Sequence, residues 1–282
     1  MGKTLLIGAD GGLGKAFLAA LKAASRPVDA LGRQDLDVSK RNDVFDRVRA
    51  AKPDVVINCA AYTDVDGCEI DKWRAYLVNK DGAEHTARAA AAVGALLVYP
   101  SCDLVFDGAR TVPYREEDSP NPLSIYGDTK LGAELAVMKH APKHLILRSG
   151  PLFGRGGTGL FAELLHRWKA GETLAGAVEE GRSQPTARVD FVGAALALVD
   201  KGKTGLWHAA PAEEATPHEF ARETWRLLGL DPEGVRPLRR SSVSSSALRP
   251  RYSVLDCAKL RKEGVVLRSW KDALREAVAQ LK

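Results

Sequence analysis

Short apolar runs alternate with longer stretches of helical periodicity through the first half of the chain. Thr4-Leu5-Leu6-Ile7 precedes a glycine-rich loop, after which Phe17, Leu18 and Leu21 recur at helical spacing. Pro27 to Leu31 predicts a second strand, and residues 40–51 a helix with Val44, Val48 and Ala51 on one face. Asp54 to Asn58 predicts a third strand, residues 71–93 one long Ala-rich helix, and Ala95 to Tyr99 a fourth strand. Residues 125–139 predict a helix and His144 to Leu147 a fifth strand. Short strands separated by long helices imply crossover connections and therefore parallel pairing. The strands are near-continuously apolar, as expected where both faces of a sheet are covered. The expected fold class is α/β, with a doubly wound parallel sheet.

The rhythm changes near residue 150. Gly154, Gly156, Gly157 and Gly159 punctuate a loop, and helices are predicted at 160–169, 190–200, 217–228 and 269–281, with a strand at 205–209. A Pro/Arg/Ser-rich stretch precedes the final helix. Residues 1–150, with about 185–205, are expected to form the sheet domain, and residues 151–184 and 206–282 a smaller lobe over its open edge. Trp73, Trp168, Trp207, Trp225 and Trp270 are expected to pack in the core or the lobe, and His208 to pack beside Trp207.

Composition narrows the class. Of 282 residues, 45% are hydrophobic and 27% charged, which excludes disordered and fibrous chains. No apolar run approaches the roughly 18 residues of a membrane span, and no secretory-signal pattern opens the chain, so a soluble, cytoplasmic protein is expected. Lys and Arg number 41 against 36 acidic residues, a net charge of +5. One local concentration, Arg236, Arg239, Arg240, Arg249 and Arg251 around a Ser-rich stretch, is either a solvated loop or a phosphate contact. No nucleic-acid motif accompanies it, so no nucleic-acid partner is expected. Cys59, Cys68, Cys102 and Cys257 form no CxxC pair and the six histidines show no ligand spacing. No metal is expected.

Gly8-Ala9-Asp10-Gly11-Gly12-Leu13-Gly14 joins the first strand to the first helix as G-x-x-G-x-x-G. A tight turn there needs unusual backbone angles. A pyrophosphate needs close approach to backbone amides and the positive end of a helix. The alternative, a tight turn with no ligand, remains, but the position between strand and helix favours a dinucleotide. After the second strand, where an NAD site places an acidic residue, stand Leu31-Gly32-Arg33. Arg33 either pairs with a 2′-phosphate, favouring NADP(H) over NAD(H), or is a solvated surface group. Asp37-Val38 either hold the adenine edge, or Asp37 caps the next helix.

Tyr126-Gly127-Asp128-Thr129-Lys130 is Y-x-x-x-K, which places both side chains on one helix face a turn apart. A phenol near an ammonium is expected to ionise below its reference pKa of about 10. Such a phenol can protonate a carbonyl oxygen while hydride arrives from a nicotinamide. Ser101, Cys102 and Asp103 stand at the preceding strand end, where a carbonyl-polarising group is needed.

Taken together the chain resembles the extended short-chain dehydrogenase/reductases with a Rossmann sheet, and within them the dTDP-4-dehydrorhamnose reductases. Carrying segments include Pro53 to Asp66, Val78-Asn79, Ser101 to Gly108, Asn121 to Lys130, Leu147-Arg148-Ser149, Pro185-Thr186, Trp207-His208 and Arg249-Pro250. The resemblance implies an NADP(H)-dependent reductase of a 4-keto nucleotide sugar, with NAD(H) as a lesser cofactor and a homodimer as the assembly. It implies Tyr126 as general acid, Lys130 as its partner and Cys102 at the polarising position. Cofactor contacts are implied for Gly8, Asp10, Gly11, Gly12, Leu13, Arg33, Asp37, Val38, Cys59, Ala60, Ala61, Thr63, Asn79, Ser101, Tyr126, Lys130 and Ser149. Substrate contacts are implied for Val65, Cys102, Asp103, Leu104, Tyr126, Pro151, Pro185 and Arg188.

The departures from that pattern cluster. The family's usual S-T-D-Y reads Ser101-Cys102-Asp103-Leu104 here, and its T-S-W reads Ser149-Gly150-Pro151. Asn-Asn-Phe is replaced by Gly159-Leu160-Phe161, and Lys15 and Ala16 stand where some members carry an acidic residue. Cofactor-side residues are kept and substrate-side residues are changed. A thiol is a weaker donor than a hydroxyl. Two other readings follow: a reductase of a different carbonyl compound, and a cofactor-binding regulatory subunit.

Overall fold

The computed structural model describes residues 2–281. Six parallel strands form the central sheet: β1 (Thr4–Ile7), β2 (Val28–Leu31), β3 (Val55–Asn58), β4 (Leu96–Cys102), β5 (His144–Ser149) and β9 (Gly205–His208). The order is β2-β1-β3-β4-β5-β9, so the chain starts inside the sheet, moves to one edge and crosses back. That reversal leaves a crevice at the carboxyl ends of β1 and β3, the place where such sheets bind ligands.

Helices cover both faces, as the apolar strands require. On one side α1 (Gly12–Ala23) and α8 (Arg188–Asp200) bury Phe17, Leu21, Phe191 and Leu198 against Leu6, Ile57 and Leu145. On the other, α2 (Arg41–Ala51), α5 (Gly82–Ala92) and α6 (Ile125–His140) bury Val44, Val48, Ala87 and Val137 against Leu5, Val56 and Leu97.

The long helix expected over 71–93 forms over residues 72–92, with a π-helical stretch inside it. α3 (Val65–Ile70), unforeseen, is capped by Asp64, which accepts from the Gly67 N–H at 2.9 Å. Asp71 then caps α4 (Lys72–Ala75), and a π-helical stretch over Tyr76–Asp81 leads into α5. Two acidic caps seven residues apart, Asp64 and Asp71, start α3 and the longer helix after it.

The remaining elements build the lobe: β6 (Leu152–Phe153), α7 (Leu160–Lys169), β7 (Ala175–Val178), β8 (Thr186–Ala187), α9 (Pro217–Leu227), β10 (Val235–Leu238), α10 (Ala258–Lys262) and α11 (Trp270–Ala279). β7 pairs with β10 and β6 with β8, both parallel. Phe153, Phe161, Phe220, Trp225, Trp270 and Leu274 form its core. β9 completes the sheet, and Leu255, Cys257, Leu260 and Leu267 join the sheet-side core, so the C-terminal segment serves both bodies. Trp73 departs from the expected packing and is 74% exposed. Among the described residues no helix is long and apolar enough to cross a membrane.

Candidate active site

A cleft of about 670 Å³ opens between the strand ends and the lobe. The glycine loop forms one end. Gly8 has φ +77°, and a Cβ there would lie 2.6 Å from the Ala60 amide nitrogen. A Cβ on Gly14 would lie 2.1 Å from the Gly8 carbonyl oxygen. These two glycines let the turn pack between α1 and the segment after β3. Gly11 is the N-cap of α1 and supplies no side-chain acceptor, so the first-turn amides at Gly12 and Leu13 are left for another acceptor at the cleft wall. The geometry fits a pyrophosphate: a backbone-lined hollow at a helix N-terminus.

Cys59, Ala60, Ala61, Thr63 and Val65 follow β3 along the cleft, and Ser101, Cys102, Asp103 and Leu104 follow β4. Cys102 pairs in register with Ser149 of β5, which brings Ser149 and Pro151 to the same wall. Tyr126 and Lys130 arrive from α6, whose N-cap Ser124 accepts from the Gly127 N–H at 3.1 Å. Asn79 holds this arrangement from behind. Its side chain bonds both backbone groups of Tyr62, at 2.7 and 3.1 Å, and donates to Thr129 Oγ1 at 3.0 Å.

The electrostatics of the pair differ from expectation. Lys130 Nζ donates to Tyr99 Oη at 2.8 Å and to the Pro100 carbonyl at 2.7 Å, and it lies 4.1 Å from the centre of the Tyr99 ring. Burial pushes the Lys130 ammonium down to about 8. The Tyr126 phenol is not lowered: burial drives it well above its ordinary value, with Cys102 and Tyr99 adding to the rise. Two of the ammonium's three donors go to Tyr99 and Pro100, and desolvation of the phenol wins. Burial also pushes the Cys102 thiol up to about 12, which keeps it protonated. Ser101 Oγ is buried with no partner. Asp103 accepts from Ser253 Oγ at 2.5 Å, and burial raises its carboxyl to about 7.

Beneath the site, Glu134 and Arg148 form a buried bidentate pair, Nε to Oε1 at 2.9 Å and Nη2 to Oε2 at 2.6 Å. His208 is fully buried and pushed down to about 3, so it is neutral packing material as expected.

Asp10, Gly11, Gly12, Leu13 and Arg188 complete the expected residues that line the cleft, and six others do not. Gly8 sits under the turn. Arg33 is exposed beyond β2, its N–H donating to Asp10 Oδ2 at 2.9 Å. Asp37 is exposed and bonds Ser39, which lowers its carboxyl; it does not cap α2, whose N-cap is Lys40. Val38 is buried in the core beside α5, and its carbonyl meets His85 Nδ1 at 3.0 Å. Asn79 and Pro185 are buried, the first satisfied by the bonds above. Sequence reasoning missed Tyr99, and it missed Gly181, Arg182, Ser183 and Ser253 on the lobe side. Arg240 and Arg249 reach the cleft, whereas Arg236, Arg239 and Arg251 are exposed and do not line it. Only the local excess of arginine signalled this.

The family model described as the RmlD substrate binding domain matches residues 2–282. The chain belongs to this family. It is 39% identical to a dTDP-4-dehydrorhamnose reductase of Streptomyces griseus, over 98% of this chain and 93% of that one. A crystal structure of a dTDP-4-dehydrorhamnose reductase from Clostridium acetobutylicum matches with a TM-score of 0.94 and 35% identity, covering 99% of both chains. One from Bacillus anthracis, solved in complex with NADP, matches with a TM-score of 0.94 and 29% identity, over 99% of this chain and 100% of that one. Membership in the RmlD family bears out the fold and family expected from the sequence.

Proposed function

We propose that this chain is an NADP(H)-dependent reductase of a 4-keto nucleotide sugar. The observation that carries the reading is one cleft holding the backbone-lined hollow of α1 at one end and the Tyr126–Lys130 pair at its wall. Relatives of the same length carry dTDP-4-dehydrorhamnose reductase names, and one was solved with NADP. The first turn of α1 would hold the pyrophosphate, and Arg33, exposed beyond β2, would be the cation available to a 2′-phosphate. When bound, the nicotinamide supplies hydride to the carbonyl carbon. Tyr126 gives its phenolic proton to the carbonyl oxygen, and the neighbouring Lys130 ammonium steadies the phenolate that remains. Cys102 and the unpartnered Ser101 hydroxyl flank that oxygen from the end of β4.

Residues 1–150 with 185–205 serve as the cofactor domain and residues 151–184 and 206–282 as the substrate lobe, with β9 and residues 253–267 packing on the sheet. A homodimer in the cytoplasm completes the proposal, to be tested by light scattering and cell fractionation. Turnover of dTDP-4-dehydro-6-deoxy-L-mannose with NADPH tests the activity, and inactivity toward a panel of keto-sugar nucleotides overturns it. Cys102, Leu104 and Pro151, which line the cleft where the family pattern carries other residues, favour as second reading a reductase of another carbonyl compound. Activity in that panel on a different ketone would select it.

A further inference from the structure

Arg188 opens α8, yet its side chain reaches the first turn of α1. A Cβ built on Gly12 would lie 3.0 Å from Arg188 Cζ, and one on Gly157 would lie 1.7 Å from Nη2. Glycine at both positions makes room for the guanidinium. The residue is 8% exposed, and its donors meet only backbone carbonyls. Nη1 donates to Gly154 O at 2.8 Å and Arg155 O at 3.4 Å, and Nη2 to Leu152 O at 3.4 Å. Burial lowers its pKa and no neighbouring carboxylate offsets that. The other lobe-side arginines differ in this respect: Arg182 pairs with Glu214 and Glu219, and Arg249 with Asp66.

A guanidinium stays charged at any ordinary pH. Burying it without an anion is costly, because carbonyl dipoles replace only part of its hydration. This one is buried at the rim of the hollow where the α1 amides lack an acceptor. Gly11, Gly12, Gly156 and Gly157 line the same end of the cleft, so an anion would meet backbone and the guanidinium and little else. Two independent sources of positive potential, the α1 amides and the guanidinium, stand side by side at one end of the cleft.

We propose that Arg188 is a clamp for the bridging pyrophosphate of the dinucleotide, donating to it from beside the first turn of α1. This moves Arg188 from the substrate side, where the family resemblance put it, to the cofactor side. It rests on the proposed binding of NADP(H). The same guanidinium holds the carbonyls of Leu152, Gly154 and Arg155, so cofactor binding and the placement of that glycine-rich loop are coupled.

Fluorescence titration of NADPH into wild type, Arg188→Met and Arg188→Lys tests the clamp. Loss of a charge-assisted contact in Arg188→Met should weaken NADPH binding about 10- to 100-fold and flatten its salt dependence, with Arg188→Lys between. Inorganic pyrophosphate should compete with NADPH in wild type and much less in Arg188→Met. Adenosine 2′-monophosphate, which lacks the bridge, should bind both proteins alike. Unchanged or tighter NADPH binding in Arg188→Met overturns the clamp. So does equal weakening of NADPH and of adenosine 2′-monophosphate with a lowered Tm, which marks a packing role. A wild type that binds NADPH but reduces no keto sugar overturns the proposed activity and leaves the clamp to these binding data. A wild type that binds neither coenzyme overturns both.

Discussion

On the sheet side of the cleft, each chemical group stands close to a strand end or in the first turns of a helix. Gly11 follows β1, Cys59 follows β3, Cys102 ends β4, Ser149 ends β5, and Tyr126 and Lys130 open α6. On the lobe side, Gly181–Ser183 and Arg249–Ser253 lie in loops tied by isolated bridges, Arg182 to Tyr252 and Ser183 to Ala215. Two side-chain links fasten that wall across the cleft: Arg249 to Asp66 at 2.8 Å, and Ser253 to Asp103 at 2.5 Å. The first wall is backed by two apolar cores and cannot shift without disturbing the sheet. The second is built from loops tied by polar contacts, with Leu255 beside it anchored in the sheet-side core, and is the less constrained of the two. On the proposed function, reaction chemistry belongs to the sheet wall and most of substrate choice to the lobe wall.

The sharpest way to break that division is Tyr126→Phe. It removes one hydroxyl from the sheet wall and nothing from the hollow at α1. Turnover should fall about 10²- to 10⁴-fold, the range of a lost general acid, with the NADPH dissociation constant unchanged. A parallel loss of cofactor affinity would show that the phenol serves binding and not proton transfer.

Asp103 joins the two walls, and its titration reads their contact. Its carboxyl is raised from 3.8 to about 7 by burial. The folded state thus binds a proton that the unfolded chain releases. That contribution is whole below 3.8 and is lost as pH rises through about 7. The shift corresponds to at most about 4 kcal/mol. In denaturant titrations, Asp103→Asn should gain stability relative to wild type as pH rises from 4 to 8. A constant difference between the two proteins across that range would show that Asp103 is ionised throughout.

The asymmetry of the walls also explains what could be read from the chain. The alternation of apolar runs and helical periods marks β1 to β5 and the helices between them, because β1, β3, β4 and β5 are buried on both faces and the signal of each strand is local. The Y-x-x-x-K and glycine spacings are equally local signals, and the fold brings Tyr126, Lys130 and Gly11 to one cleft. β7 and β10 escaped notice because Ala175–Val178 and Val235–Leu238 are short and pair with each other across the lobe. Tyr99 was read only as a strand residue; its bond to Lys130 joins β4 to α6, and neither spacing nor composition encodes it. Arg33 and Asp37 were placed by analogy to strand ends, and the chain folds their side chains onto the surface. Ser253 meets Asp103 across 150 residues, a contact no local pattern announces.

Cys102→Thr sharpens the comparison from the other side. The thiol stays protonated and donates weakly to a carbonyl oxygen. A hydroxyl of nearly the same volume restores a full donor on the sheet wall. Turnover of a keto-sugar nucleotide should rise about tenfold, the worth of one ordinary hydrogen bond, without a change in which sugar is preferred. A changed preference with unchanged rate would place residue 102 among the substrate-selecting groups, against the division drawn above.

The smallest effect is expected at Arg33, which is exposed and therefore screened by water and salt. Its backbone N–H donates to Asp10, whose carboxylate lies at the same edge of the hollow. A 2′-phosphate there meets one cation and one anion, and their opposition limits the discrimination between coenzymes. Arg33→Ala should lower the preference for NADPH over NADH by about tenfold or less in low salt, and by less still near 0.5 M salt, where the Debye length falls to about 4 Å. Asp10→Asn should move the preference the other way, since it removes the repulsion and keeps the acceptor for the Arg33 amide. Titrations of both coenzymes at two salt concentrations measure this. Equal wild-type affinities for NADPH and NADH would remove Arg33 from the cofactor site and leave the hollow at α1 as the only part of that wall that reads the dinucleotide.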